Sequence, residues 1–200
     1  MNFLQRNLHD CPSEVKATAY NAFVRPNLES SSAVWDPHQQ KDINRLERVQ
    51  RKGARFVTGD FRREASPTAM MDMLEWNTLQ ERRFVARQVA MYKAVHQQTA
   101  IAIPDYLHPT RSSTRGHHPH SFINLSTRTD QYKYSFFPRT VRCWNLLPHH
   151  IVTSATVDQF KSLLMKSISE KTIVLCPPKD QLARPRLGSH SNTPVAMYMY

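Results

Sequence analysis

Apolar residues recur along this chain at three- and four-residue intervals, the period of one helix face. From Pro12 to Phe23, Val15, Ala19, Ala22 and Phe23 share such a face, and Glu14 sits favourably near the positive end of the helix dipole. Arg25-Pro26 interrupts the pattern, because a residue before proline is pushed out of the α region. A second short helix is predicted from Pro26 to about Trp35, stopped by Asp36-Pro37. Between Lys41 and Thr58 the periodicity sharpens: Ile43, Leu46, Val49, Phe56 and Val57 lie on one side, and Arg45, Arg48, Lys52 and Arg55 form a stripe on another. Ser66 and Pro67 suit the N-cap and first position of a helix reaching Leu74. Thr78 to about Gln98 reads as the longest helix, with Phe84, Val85, Met91 and Tyr92 on a broad apolar face and Arg83 and Arg87 opposite.

Between Ile101 and Ser121 the period disappears into Pro, Ser, Thr, Arg and His, which predicts a mobile basic loop. Phe122 to Leu125 suits a short strand or extended arm, and helices are expected over Ser135–Leu147 and Thr156–Ile168. The last has Thr156 and Gln159 in capping-box spacing, with Val157, Phe160, Leu164 and Ile168 on one face. Beyond about Lys171 the composition predicts a disordered tail. The expected architecture is mainly α, with a helical subdomain at 1–100, a loop at 101–121, a smaller helical subdomain at 122–170 and a tail at 171–200. Val24, Trp35, Leu46, Phe56, Phe84, Phe137, Trp144 and Phe160 are the expected core anchors.

Charge changes the picture. The 200 residues carry 27 Lys+Arg against 16 Asp+Glu, a formal charge of +11, and a polyanionic partner is the first expectation. Most of the excess lies in two windows, Lys41 to Arg63 and Arg111 to Arg142. Basic side chains on an amphipathic helix and a loop suit contacts to a phosphate backbone, without base reading; a solvated helix face is the competing account. The second window interleaves its charge with Tyr132, Tyr134, Phe136, Phe137 and Trp144. Large rings bury most area in a core, so Lys133, Arg139 and Arg142 remain as its candidate contacts, with Arg115 from the loop.

Other chemistry is poorly supplied. The 3 cysteines, Cys11, Cys143 and Cys176, are far apart, and no Cys stands near His117-His118-Pro119-His120 or His149-His150, so neither disulfides nor a metal site is indicated. Only 4 glycines are present, with no Gly-rich phosphate loop, G-x-S-x-G turn or paired aspartates. No catalytic residue, cofactor or small-molecule substrate is expected. No apolar run is long enough for a membrane span, and an intracellular protein, nuclear or cytoplasmic, is expected.

Several strings carry a family resemblance: Glu14-Val-Lys-Ala-Thr-Ala-Tyr20 into Val24-Arg-Pro26, Ala33-Val-Trp-Asp-Pro37, Leu46-Glu-Arg-Val-Gln-Arg-Lys52 leading to Ala54-Arg-Phe-Val57, and most specifically Thr129 to Pro148 followed by Phe160-Lys161. Over roughly residues 3 to 168 the chain resembles the C-terminal part of the reverse transcriptase of jockey-like non-LTR retrotransposons. The resemblance implies a thumb-type helical subdomain and a following helical region, which hold template RNA and primer against the palm. The polymerase's metal-binding carboxylates would lie upstream of Met1, so this stretch alone is not expected to polymerise. After Val24-Arg-Pro26 the chain departs from the family pattern, with Asn27-Leu-Glu-Ser-Ser31 replacing apolar and aromatic positions. The expected function is that of a truncated fragment with residual affinity for RNA or an RNA–DNA duplex. The alternative is a helical protein-interaction module that docks through the Leu79 to Val95 face or the aromatic run.

Overall fold

A computed structural model describes residues 1–110, 118–173 and 175. Arg115, His117 and Cys176, and the part of the predicted 171–200 tail from residue 176 onward, lie outside the described residues, whereas Ile173 and Leu175 at the start of that tail are half-buried against the largest core. The architecture is mainly α: ten helices occur among the described residues, and the β pairing there is one isolated bridge between Pro109 and Phe122.

A short helix α1 (Asn2–Asn7), which the sequence pattern did not predict, packs on α2 (Ser13–Phe23). The chain breaks at Val24, and α3 (Arg25–Glu29) starts with its proline in the first turn. It ends well before Trp35, where a longer helix was expected. Ser30 is extended, and Ser31 takes a left-handed conformation at φ 52°; serines compete for backbone groups and favour turns over helix continuation. The Trp35 indole N–H donates back to the Ser30 carbonyl, closing that turn.

Helix α4 (Gln40–Thr58) stops at Gly59, whose φ of 70° suits a residue without a side chain. Ser66 caps α5 (Pro67–Met73) by accepting from the Ala69 amide. Helix α6 (Leu79–Val95) opens with a reciprocal capping box: Thr78 Oγ1 accepts from the Glu81 amide, and Glu81 Oε2 accepts from the Thr78 amide. The second half adds α7 (Asp130–Lys133), α8 (Phe136–Trp144), α9 (His149–Val152) and α10 (Val157–Ser169). Thr156 caps α10 as its spacing predicts, although the Gln159 side chain reaches back to the Ala155 amide rather than to Thr156.

The largest core joins Phe84, Val85, Met91 and Tyr92 of α6 to Trp144, Ile151, Phe160 and Leu164. A second holds Leu4, Ala19, Tyr20, Phe56 and Val57, and a third holds Ala54, Met70 and Met71. Helix α6 therefore belongs to the same core as α8, α9 and α10, and its apolar face is covered rather than presented to a partner. The described parts of 101–121 are likewise anchored and not a free spacer. Leu107 and Phe122 are buried in that core, the Trp144 indole donates to the His120 carbonyl, and Asn145 exchanges hydrogen bonds with the Phe122 backbone.

Of the expected anchors, Phe56, Phe84, Trp144 and Phe160 are buried; Val24, Leu46 and Phe137 are half-buried. Trp35 corrects the expectation at 43% exposed. Its ring lies under the Arg83 guanidinium, 3.9 Å from the ring centroid, so it works as a cation platform instead of a core filler.

Candidate nucleic-acid interface

The rotation of α4 about its axis decides which of its cations face solvent. Its inner side is fixed by packing and by buried polar contacts. Gly53 and Ala54 lie against Tyr20 and α5. Glu47 accepts from the Gln80 amide at 3.0 Å, and burial pushes its carboxyl pKa up. Gln50 is buried, donates to the Asn77 carbonyl at 2.7 Å and accepts from Arg82 at 2.6 Å. With that side locked onto the start of α6, Arg45, Arg48, Arg51 and Lys52 are exposed on the other. Arg45 pairs with Asp42 at 3.1 Å, a solvent-exposed contact of small energetic weight. Arg48 and Lys52 have no side-chain partner among the described residues.

Arg51 was missed by the sequence stripe, although it follows Arg48 at helical spacing and widens the same basic surface. Arg55, by contrast, leaves it. Its guanidinium donates to the carbonyls of Arg62 and Ala65 at 3.1 and 3.2 Å, tying the turn after Gly59 to the helix.

The candidates of the second window are more deeply committed. Arg139 donates to the Asp36 carbonyl at 2.8 Å and pairs with the Asp36 carboxylate at 3.1 Å, with 14% of its side chain exposed. Arg142 donates to Thr127 Oγ1 at 3.3 Å, and the Lys133 ammonium lies 5.3 Å from the Tyr134 ring centroid. Tyr134 in turn stacks on His38. Arg139 is thus a structural residue, and the structure does not bring Lys133, Arg139 and Arg142 together as a free patch.

Asp36 explains where that charge goes. Its carboxylate is contacted by Arg87, Arg139 and, at 3.8 Å, Arg83. Arg83 also donates to the Leu28 carbonyl at 2.6 Å, and burial lowers its pKa. Arg83 and Arg87, expected on the solvent side of α6, are buried at 2% and 3%. One acid holds three guanidiniums, and backbone carbonyls of the 28–37 turn take up further donors. No signal within either segment marks this hub, because its members stand 47 to 103 residues apart in sequence from Asp36.

Among the described residues no three His, Cys, Asp or Glu side chains are placed to hold a metal ion, and no helix is long and apolar enough to cross a membrane. Comparison with known proteins returns no match: no family model, no curated protein and no solved structure is significantly similar to this chain.

Proposed function

We propose that the chain is a helical fragment of a non-LTR retrotransposon-type reverse transcriptase, without polymerase activity of its own, which holds RNA or an RNA–DNA duplex by its backbone. An intracellular setting, nuclear or cytoplasmic, goes with that reading. The observation that carries it is the exposed row Arg45, Arg48, Arg51 and Lys52 on a helix whose other side is locked into the fold. Cations spaced along one rigid helix can neutralise successive phosphates while paying little conformational entropy for placement. The family resemblance supplies the nature of the polyanion.

The test is fluorescence-anisotropy binding to an RNA–DNA primer duplex, single-stranded RNA and an unrelated polyanion across a salt series, with circular dichroism on the same sample. Preference for the duplex by a helical protein supports the reading. Equal binding to all three, erased together by salt, overturns it.

A second reading is favoured by one feature. Between α1 and α2 an apolar groove of about 500 Å³ is lined by Phe3, Leu8, Val15, Ala19 and Phe23, and Phe3 and Phe23 are each 68% exposed. Apolar surface of this kind suits a protein partner. Oligomers that persist at high salt and disappear in Phe3→Ser and Phe23→Ser variants would favour that reading.

A further inference from the structure

Between α6 and α7 the described chain lies against the largest core and is fastened to it by side chains. Leu107 and Phe122 are buried in that core. The Thr110 amide donates to the Ser121 carbonyl at 2.8 Å and the Ile123 amide to the His108 carbonyl at 2.9 Å, so 108–110 and 121–123 run as a short antiparallel pair. The end of α8 holds the pair down. The Trp144 indole donates to the His120 carbonyl at 2.8 Å, and Asn145 bonds the amide and the carbonyl of Phe122 at 3.0 and 2.7 Å. The His118 ring donates through Nε2 to the Trp144 carbonyl at 2.9 Å, since a carbonyl can only accept.

Histidines stand at this junction. His96 is the C-cap of α6, and its ring lies 5.4 Å, centroid to centroid, from the ring of His120 on the fastened stretch. His96 also packs on Tyr92 at 4.1 Å, and Tyr92 is fixed by its hydroxyl, which donates to the Ser154 carbonyl at 2.6 Å. The Nε2 atom of His96 is buried with no hydrogen-bond partner among the described residues. The arrangement therefore offers no acceptor to the second N–H that an imidazolium carries. His149, the first residue of α9, is the other group whose charge bears on His120. Among the described residues no carboxylate joins His96 and His149 in acting on it.

Uncharged, the His96 and His120 rings pack as flat surfaces. Charged, they become like charges a few ångströms apart in a half-buried site, where solvent and salt screen them little and no acid offsets them. Separating the rings relieves that repulsion. Helices α6 and α9 are anchored by buried Met91, Tyr92, Ile151 and Val152, whereas the 118–123 stretch depends on the contacts just described, so the stretch is the part that gives way. We propose that His96 and His120, with His149 beside them, form a proton-operated latch: uncharged, they let 118–123 lie on the core, and charged, they release it and bare Leu107, Phe122 and Trp144 while the helices stay folded. Burial, and then the two like charges, lower the pKa of His120, the direction required of a latch closed by neutral rings. The latch does not use α4, so it stands independently of the backbone-binding surface.

Hydrogen exchange of the full chain, read by mass spectrometry at pH about 7.5 and about 5.5 and corrected for the intrinsic pH dependence of exchange, tests the latch. Opening of 118–125 is expected to increase at the lower pH, by up to about tenfold for each pH unit by which the closed latch depresses the titration of His120. The amides of α10 should keep their protection. The double variant His96→Gln and His120→Gln should show the same protection of 118–125 at both pH values, and circular dichroism reports whether it folds. His149→Gln, at an exposed position, removes one like charge and should move the opening to lower pH; if the double variant loses its helices, this shift alone decides. Unchanged exchange of 118–125 between the two pH values overturns the proposal. So does an equal rise in α10, which would be global unfolding, or an acid opening that persists in the folded double variant, or an opening that His149→Gln leaves where it was.

Discussion

The ring of Tyr20 fills the space where a side chain on Gly53 would stand: a Cβ there would come within 2.8 Å of Tyr20 Cδ2 and Cζ, and closer still to Cε2. Glycine inside a helix is normally a weakness, and alanine improves it by about 0.5–1 kcal/mol. Here the overlap with a ring buried at 0% exposure wins. Gly53→Ala is expected to destabilise the fold by about 1–3 kcal/mol, read from urea unfolding. Combining it with Tyr20→Leu should recover part of that loss. A more stable Gly53→Ala variant would mean that the two helices do not approach this closely.

The same tyrosine contributes to the alkaline side of the stability profile. Burial pushes the Tyr20 hydroxyl from 10.0 up to about 12, so the folded protein holds that proton more tightly than the unfolded chain. The associated stability is complete below pH 10 and is lost as pH rises through 12. The hydroxyl has no hydrogen-bond partner among the described residues. Tyr20→Phe should therefore change little at neutral pH and flatten the alkaline limb of a stability profile. An unaltered limb would assign the loss to other groups.

Asp36 holds the turn before α4 onto α6 and α8 through Arg83, Arg87 and Arg139. Removing one partner of a buried ion cluster leaves uncompensated charge, at a cost of about 3–5 kcal/mol. Asp36→Asn should show a loss of that order in thermal or urea unfolding, whereas Asp42→Asn, facing exposed Arg45, should change stability by less than about 1 kcal/mol. Equal effects would mean that the hub contributes no more than a surface pair.

The contrast between these aspartates marks what could be read from the sequence. Helix starts at Ser66-Pro67, Thr78 and Thr156 were legible, because a cap is made within three residues of itself. Of the apolar face expected on α4, Phe56 and Val57 are buried while Ile43, Leu46 and Val49 are half-buried, and the inner side also takes Glu47, Gln50, Gly53 and Ala54, which an apolar period does not mark. The burial of Arg83, Arg87 and Arg139 was not, because periodicity places an arginine on a helix side but does not record that a distant carboxylate meets it there. Arg55 was misjudged for a related reason: its carbonyl partners come into reach only after the chain reverses at Gly59. Trp35 was assigned to the core on hydrophobicity, although its partner is a cation. Arg48 and Lys52 are the members of the stripe with no side-chain partner among the described residues.

His120 contributes on the acid side. Burial lowers the pKa of His120, and His96 and His149 add like-charge repulsion; the His96 and His120 rings lie 5.4 Å apart. The unfolded chain therefore takes up that proton more readily. The stability linked to neutral His120 is present above pH 6.5 and is lost as pH falls from there through its lower folded value. His120→Gln should reduce the slope of stability against pH below 6.5, and NMR titration of the ring should show the depressed value directly. A ring titrating at or above 6.5 would remove the group from the acid limb.

Salt dependence discriminates among the arginines of α4. Each phosphate neutralised contributes about 0.7–0.9 to the slope of log affinity against log salt. Changing Arg45, Arg48, Arg51 and Lys52 to Gln should lower the slope by about 3, with circular dichroism and melting little changed, because these four are exposed. Arg55→Gln should do the reverse. It removes donors to the Arg62 and Ala65 carbonyls, so it should lower the melting temperature and leave the salt slope nearly intact. A slope that falls equally for Arg55→Gln would return that residue to the binding surface, and a slope untouched by the fourfold change would remove α4 from it.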